Sequence, residues 1–434
     1  MSASTTANSN GKTGLLAILG GIAIVLLVVI YYSPIWWVSL TAPQYPKEAF
    51  PEGIRIHFHM NGVFNGCPRV EKKEIEEDVV LDCVHEMDAI NHFVGMYPTG
   101  AGGPVEKAFS PFLLIFLGLL LIGFIIPNRK ARFAVTMAGW LVMVGWMWLA
   151  MNTAGGVRYL PESYLKSLVT ALGEGEEEAG EPLSPIIARL EEELKKSGSR
   201  FVANKEVRQR LEQAGEKGLA ETLKELSRGG ESVQVKSLKQ ILAEAKQKGE
   251  GKETYIAILK QAFLSDQARR KPGERQQWTG SGMQVLLWHY EKTLGRWFNE
   301  PWRNKPLARA MRKAAWGLFW GLVVIPPVLF FLGSFGPPIF YWLMGIIPAL
   351  LPVAFVIEYA AWLYWFGHNM SEMGAFSLKP FMPTVFGQGK VAQFTTHSYP
   401  HYGFGLMVVF AIIVLLILLI RRKQLRQQAQ ATAA

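Results

Sequence analysis

The fold is decided by Ala108–Met151, AFSPFLLIFLGLLLIGFIIPNRKARFAVTMAGWLVMVGWMWLAM. The stretch holds two apolar runs, Ala108–Pro127 and Phe133–Met151. Each is close to the ~20 residues that a helix needs to cross the hydrocarbon core of a bilayer. Between them, Asn128-Arg-Lys-Ala-Arg132 places three cations in a short turn. Short basic loops stay in the cytoplasm, so the pair reads as a transmembrane hairpin with its turn inside.

Working outward, four more runs have the same character: Gly14–Tyr32, Ala314–Gly333, Ile339–Phe366 and Tyr402–Ile420. The first has Lys12 ahead of it, Tyr31, Tyr32, Trp36 and Trp37 at its far end, and no small-x-small cleavage site. It reads as an uncleaved anchor rather than a signal peptide. The last is followed by Arg421-Arg-Lys-Gln-Leu-Arg426, a second cytoplasmic marker. Counting spans from both markers puts both termini inside and leaves 33–107, 152–313 and 367–401 outside. Arg303, Lys305, Arg309, Arg312 and Lys313 oppose this, because they precede the fourth span. The count prevails, since long loops translocate largely regardless of charge.

The composition agrees. The 434 residues are 50% apolar with a mean hydropathy of +0.16. That is too apolar for a soluble protein of this size and too charged for a bundle buried wholly in lipid. It excludes a cytosolic enzyme, a disordered chain and a disulfide-rich secreted domain. Much of the net charge of +10 flanks the apolar runs, so it marks membrane topology and not nucleic-acid binding. No carboxylate pair, Ser-His-Asp set, haem-attachment motif or dinucleotide fingerprint is present, and the chain is not read as an enzyme.

The expected fold is a mainly α membrane protein with about six transmembrane helices. It should carry a small extracytoplasmic loop domain with some β and an inserted extracytoplasmic helical domain. The segments are an anchor helix at 1–32, an outer loop domain at 33–107, spans two and three at 108–151, a charged helical insertion ending in an interfacial aromatic segment at 152–313, spans four and five at 314–366, an outer His/Met loop at 367–401, and a last span with a basic tail at 402–434. Glu358 is the lone acid deep in a span, a functional candidate by default. Pro326, Pro327, Pro348 and Pro352 are expected to kink spans four and five.

In the outer loop, Gly53–Val63 alternates apolar with polar side chains and reads as one strand. Cys67 and Cys83 are the only cysteines. Outside the membrane they are expected to pair, closing a loop worth about 3 kcal/mol; a pair of thiolate metal ligands is the rival reading. Within 157–275, leucines recur at helical spacing in Ile186–Leu194, Val207–Leu211, Leu219–Leu226, Leu238–Ala245 and Ile256–Leu264. This predicts a bundle of short helices after a flexible acidic lead-in at Gly173–Gly180, with an interaction or spacer role. Gln276–Trp302 interleaves aromatic and basic residues and reads as an amphipathic segment lying on the membrane.

Of the eight histidines, seven fall in the two outer loops: His57, His59, His85, His92, His368, His397 and His401. His57 and His59 share one face of the strand, because side chains alternate with period two. Methionines accompany the others as His92-x-x-x-Met96, His368-Asn-Met370 and Met373, and His397-x-x-x-His401 closes the second loop. A lone histidine is more often structural and methionine is more often packing. Gathered on one side of the membrane, imidazole and thioether with almost no thiol form a ligand set for copper, especially Cu(I). Zinc more often takes Cys, His and carboxylates in tighter spacings. The candidate ligands are His92, Met96, His368, Met370, Met373, His57, His59, His397 and His401.

Thr41-Ala-Pro-Gln-Tyr-Pro46, Ile90-Asn-His-Phe-Val-Gly-Met96, Gly367-His-Asn-Met370 and Lys390-Val-Ala-Gln-Phe394 with Ser398-Tyr-Pro400 form a set. As a set they resemble a family of small bacterial inner-membrane proteins. Its members are associated with accessory gene clusters for copper enzymes of the nitrous oxide reductase type. The resemblance covers 33–110 and 339–420. It implies copper delivery or assembly of a copper enzyme, with His92 and His368 at family positions. The chain departs by carrying 152–313 and the spans around it as an insertion. His57, His59, His397 and His401 match no fixed family histidine, so their role rests on ligand chemistry. Two functions follow as expectations. One is a periplasm-facing, copper-handling assembly factor whose partner is a periplasmic or membrane copper enzyme. The other is a metal-free scaffold or accessory subunit that docks partners through the insertion, in a homo- or hetero-oligomer.

Overall fold

A computed structural model describes residues 2–48, 50–68, 82–100, 102–178, 251–298, 300–375, 378–391 and 393–433. The chain forms two units, one of Met1–Leu168 with Thr279–Ala434, the other of Val169–Trp278. In chain order the elements are α1 (Ser2–Tyr32), β1 (Trp36–Thr41), β2 (Ile54–His59), β3 (Gly62–Asn65), α2 (Cys83–Phe93), α3 (Pro104–Ile125), α4 (Arg129–Asn152), α5 (Glu162–Glu178), α6 (Lys252–Arg269), α7 (Gly282–Trp297), α8 (Pro301–Phe335), α9 (Pro338–Ala349), α10 (Leu351–His368), β4 (Gly387–Val391), β5 (Phe394–Pro400) and α11 (Tyr402–Ala433).

Among the described residues, α1, α3, α4, α8 and α11 are long and apolar enough to cross a membrane, and α9 with α10 adds a bent pair. The kink expected of Pro348 and Pro352 in span five is present, and it divides the Ile339–Phe366 run into two helices. The chain turns by 63° between Ala349 and Leu351. Pro352 has no N–H to give the Pro348 carbonyl, and it suits the first turn of a new helix. With 12 residues α9 rises about 18 Å, short of a ~30 Å hydrocarbon core. Pro326 and Pro327 carry the same local signal, yet α8 runs unbroken through them. The basic stretch Arg303–Lys313 is also part of α8, which starts well before the apolar run does.

Both basic markers meet at one end of the bundle. Tyr341 Oη donates to the Phe124 carbonyl at 2.8 Å and accepts from Arg421 Nε at 2.7 Å. Arg132 donates to the Gly333 carbonyl at 2.8 Å and lies over the Tyr341 ring. The start of α8 belongs to the opposite end. There Tyr97 Oη donates to Asn304 Oδ1 at 2.8 Å, and Arg303 donates to the Met370 carbonyl at 2.7 Å. The head of α8 thus lies with the loops around Tyr97 and Met370, as the span count requires.

Strands from the 33–107 and 367–401 segments form one antiparallel sheet, ordered β3-β2-β1-β5-β4. β1 pairs β5 from Trp36 opposite Pro400 to Thr41 opposite Thr395. Gly53–Val63 is not one strand but most of a hairpin, with Met60 and Asn61 turning β2 into β3. One sheet face buries Trp36, Val38, Leu40, Ile54 and Ile56 against Cys83, Met87 and Ile90 of α2 and Tyr359 and Leu363 of α10. The buried Ser398 hydroxyl accepts from Trp36 Nε1 at 2.9 Å and donates to the Val385 carbonyl at 2.8 Å. Cys67 and Cys83 are disulfide-bonded, which ties the exit of β3 to the first residue of α2. The Asp82 side chain caps that helix by accepting from the Val84 and His85 amides.

The aromatic segment is packed through α7, while Trp302 beyond it is exposed. In α7, Met283, Val285, Leu286, Trp288 and Leu294 are buried, and His289 Nε2 lies 2.9 Å from the Leu168 carbonyl. The acidic lead-in is helical as far as Glu178, where α5 ends. In the second unit α6 contains Ile256–Leu264, buries Tyr255, Ile258, Leu259 and Phe263, and sets Phe263 edge-on to Trp278. The helices read at Ile186–Leu194, Val207–Leu211, Leu219–Leu226 and Leu238–Ala245 lie outside the described residues.

Candidate functional site

The sheet face opposite the core carries the histidines of β2. His57 stands opposite Trp37 and His59 opposite Gly62, on one face as the strand period requires. The β1–β5 pairing then adds a third ring. The His401 amide donates to the Ile35 carbonyl at 2.9 Å, and its imidazole meets the His57 ring edge-on at 5.0 Å. His59 Nδ1 lies 3.2 Å from the Tyr32 carbonyl, and its ring packs edge-on to Phe64 at 4.7 Å. His397 sits on β5 opposite Ser39 and Gln388.

The imidazoles of His57, His59 and His401 are all held below the ordinary histidine range. Burial, then the Arg55 guanidinium and the neighbouring rings, bring His57 down to about 4. Burial brings His59 down to about 4 against the opposing pull of the Tyr32 carbonyl. His401 is lowered by burial and by Arg55. His57 Nε2 is buried with no hydrogen-bond partner. Gly66 leaves it room, because a Cβ there would lie 2.9 Å from that nitrogen. A buried imidazole nitrogen without a protein partner is a position from which a ligand can be bound.

A pH dependence follows. These groups bind fewer protons folded than unfolded, so their contribution to stability is fully present above the ordinary histidine value of 6.5 and is lost as pH falls toward about 4. The melting temperature should fall between pH 7 and pH 5, and fall less in the His57→Gln, His401→Gln double variant. Thermal scans across that range check it. Equal slopes in parent and variant would place the acid sensitivity elsewhere.

The motif histidines have other surroundings. His92, in the last turn of α2, stacks on Phe298 at 4.8 Å. Met96 is buried in the cluster of Val94, Tyr97, Leu294, Phe298 and Phe366, and Met370 packs against the same cluster. His368 stacks on Tyr364 at 3.9 Å with Nδ1 2.9 Å from the Tyr364 carbonyl, and Met373 is exposed. The two motifs meet through main chain. The Ser371 amide donates to the Gly95 carbonyl at 2.7 Å. Gly95 has φ +83°, and a Cβ on it would lie 2.5 Å from the Ser371 carbonyl oxygen. The structure thus gathers His57, His59 and His401, and it gives Met96 and Met370 to packing. Among the described residues, no group of three or more His, Cys, Asp or Glu side chains is placed to hold a metal ion.

Glu358 lines a cavity of about 380 Å³ that Glu106 also lines. Glu106 sits in the first turn of α3, where Trp362 Nε1 donates to its Oε1 at 3.2 Å. The sequence reading missed Glu106; its one signal is an acid placed a turn before an apolar run. No known protein family, curated protein or solved structure matches the chain.

Proposed function

We propose that the chain is a multi-pass protein of the bacterial cytoplasmic membrane, with both termini inside, that handles Cu(I) on its periplasmic side as an assembly factor for a copper enzyme. The observation that carries this is the His57 and His401 pair, rings 5.0 Å apart, with His57 Nε2 buried and unpartnered. Neutral imidazole is the form that ligates a metal. Two rings with His59 nearby suit a Cu(I) ion that accepts few ligands, whereas structural zinc is held by four. Such an open site leaves a coordination position for a client's ligand, which is what transfer needs. The disulfide belongs to an oxidising compartment, and the two short basic segments, at Arg132 and Arg421, meet at the other end of the helices. The client class comes from the motif resemblance.

The test is a Cu(I) competition titration of the full-length protein in detergent with ascorbate. The parent and the His92→Ala, His368→Ala variant should each retain one Cu(I) per chain, and the His57→Ala, His401→Ala variant should retain none while melting near the parent. Copper kept by the last variant, or absent from the parent, contradicts the proposal. A metal-free accessory subunit is the second reading. The main-chain docking of the two motifs favours it, since it gives them a structural task, and it expects no copper in any of the proteins.

A further inference from the structure

The cavity of about 380 Å³ lies between the hairpin turn at His59 and Met60, the head of α3, and α10 and α11. Its size is in the range that takes a small-molecule ligand. Phe58, Phe355, Tyr359 and Trp362 give it aromatic walls. Ala354 and Glu358 line it from the exposed side of α10, between exposed Val353 and Ile357. The mouth therefore opens on an apolar surface, where a lipid-soluble molecule arrives.

Beside the hydroxyls of Thr99, Ser110 and Tyr359 and the Lys107 ammonium, the walls carry two carboxyl groups that accept hydrogen bonds, Glu106 and Glu358. Glu106 Oε1 is taken by Trp362, but Glu106 Oε2 is buried with no partner. Glu358 contributes a second carboxyl group. His59 Nδ1 faces the Tyr32 carbonyl, which can only accept, so Nδ1 carries the hydrogen and Nε2 is left as an acceptor. A ligand that satisfies these walls is flat, donates hydrogen bonds and carries an apolar tail. A phosphate head is disfavoured by two carboxyl groups, and Lys107 already supplies an ammonium to the lining.

We propose that this cavity binds the hydroxylated ring of a membrane quinol, with ring hydroxyls donating to Glu358 and Glu106 and the tail leaving over Val353 and Ile357. The proposal rests on the membrane placement, and the two carboxyl groups it relies on, Glu358 and Glu106, take no part in the proposed copper site. The test uses the full-length protein in phosphatidylcholine nanodiscs, with decylubiquinol as probe and dodecylamine and phosphatidylethanolamine as competitors. The parent should bind decylubiquinol saturably at one per chain. Glu358→Gln should weaken binding about tenfold. Ala354→Trp, which fills the cavity from its exposed wall, should abolish it. Neither competitor should displace the probe. No saturable binding by the parent, parent-like binding by both variants, or displacement by either competitor overturns the proposal. Should Ala354→Trp not fold, Glu358→Gln decides alone. A chain that stays outside the discs overturns the membrane placement as well.

Discussion

Gly95→Val is expected to destabilise the protein by about 3 kcal/mol, the combined cost of backbone strain, a main-chain clash and a lost hydrogen bond. The position has φ +83°, a left-handed conformation that a β-branched residue rarely adopts. The added Cβ would fall 2.5 Å from the Ser371 carbonyl oxygen, which is backbone and cannot rotate away. Relief requires the 371–374 loop to move, which breaks the bond from the Ser371 amide to the Gly95 carbonyl. Gly374, in the same loop as Ser371, approaches so closely that a Cβ on it would lie 2.6 Å from the Gly95 amide nitrogen. Reversible denaturation in detergent reads the effect. Phe93→Ala is the control, because Phe93 is 55% exposed and its loss should cost within about 0.5 kcal/mol. A Gly95→Val protein as stable as that control would mean that the two motifs are not held together as described.

The second large effect is loss of the disulfide. Cys67→Ser with Cys83→Ser should cost about 3 kcal/mol, because the bond closes a loop spanning 16 positions and restricts the unfolded chain. Cys83 is fully buried at the start of α2, in the core formed by the sheet and α10. The bond therefore stabilises the attachment of that helix as well as a loop. Parent protein treated with a thiol reductant should show the same loss. A double serine variant as stable as the oxidised parent would show that the packing of α2 suffices without the bond. In neither experiment should the packing of the long apolar helices change, since their hydrophobic core is built from other residues.

What the sequence revealed divides along physical lines. The apolar helices were legible because hydropathy is a property of the run itself. The disulfide was legible because two cysteines in one outer loop leave a single intramolecular pairing. The shared face of His57 and His59 follows from strand period alone. The sheet was not legible. Trp36 and Trp37 carry the signature of an interfacial aromatic belt, and nothing local shows that Trp36 pairs with Pro400 across most of the chain. His401 joins His57 only through that register, so the site's central pair could not be read from spacing. The prolines make the same point. Pro348 with Pro352 breaks a helix that Pro326 with Pro327 leaves whole, and the local chemistry of the pairs does not distinguish them. Met96 and Met370 matched a soft-ligand pattern, yet Phe298 and Phe366 offer them a packed apolar cluster, the commoner use of a methionine.

The central claim is that copper is held by the imidazoles of the sheet and not by the methionines of the motifs. X-ray absorption at the copper K edge of the Cu(I)-loaded, full-length protein addresses it directly, because nitrogen and sulfur neighbours differ in distance and backscattering. The account expects a first shell of two nitrogen neighbours and no sulfur, lost in the His57→Ala, His401→Ala variant. A first shell containing sulfur, or a protein that retains no copper, would contradict it.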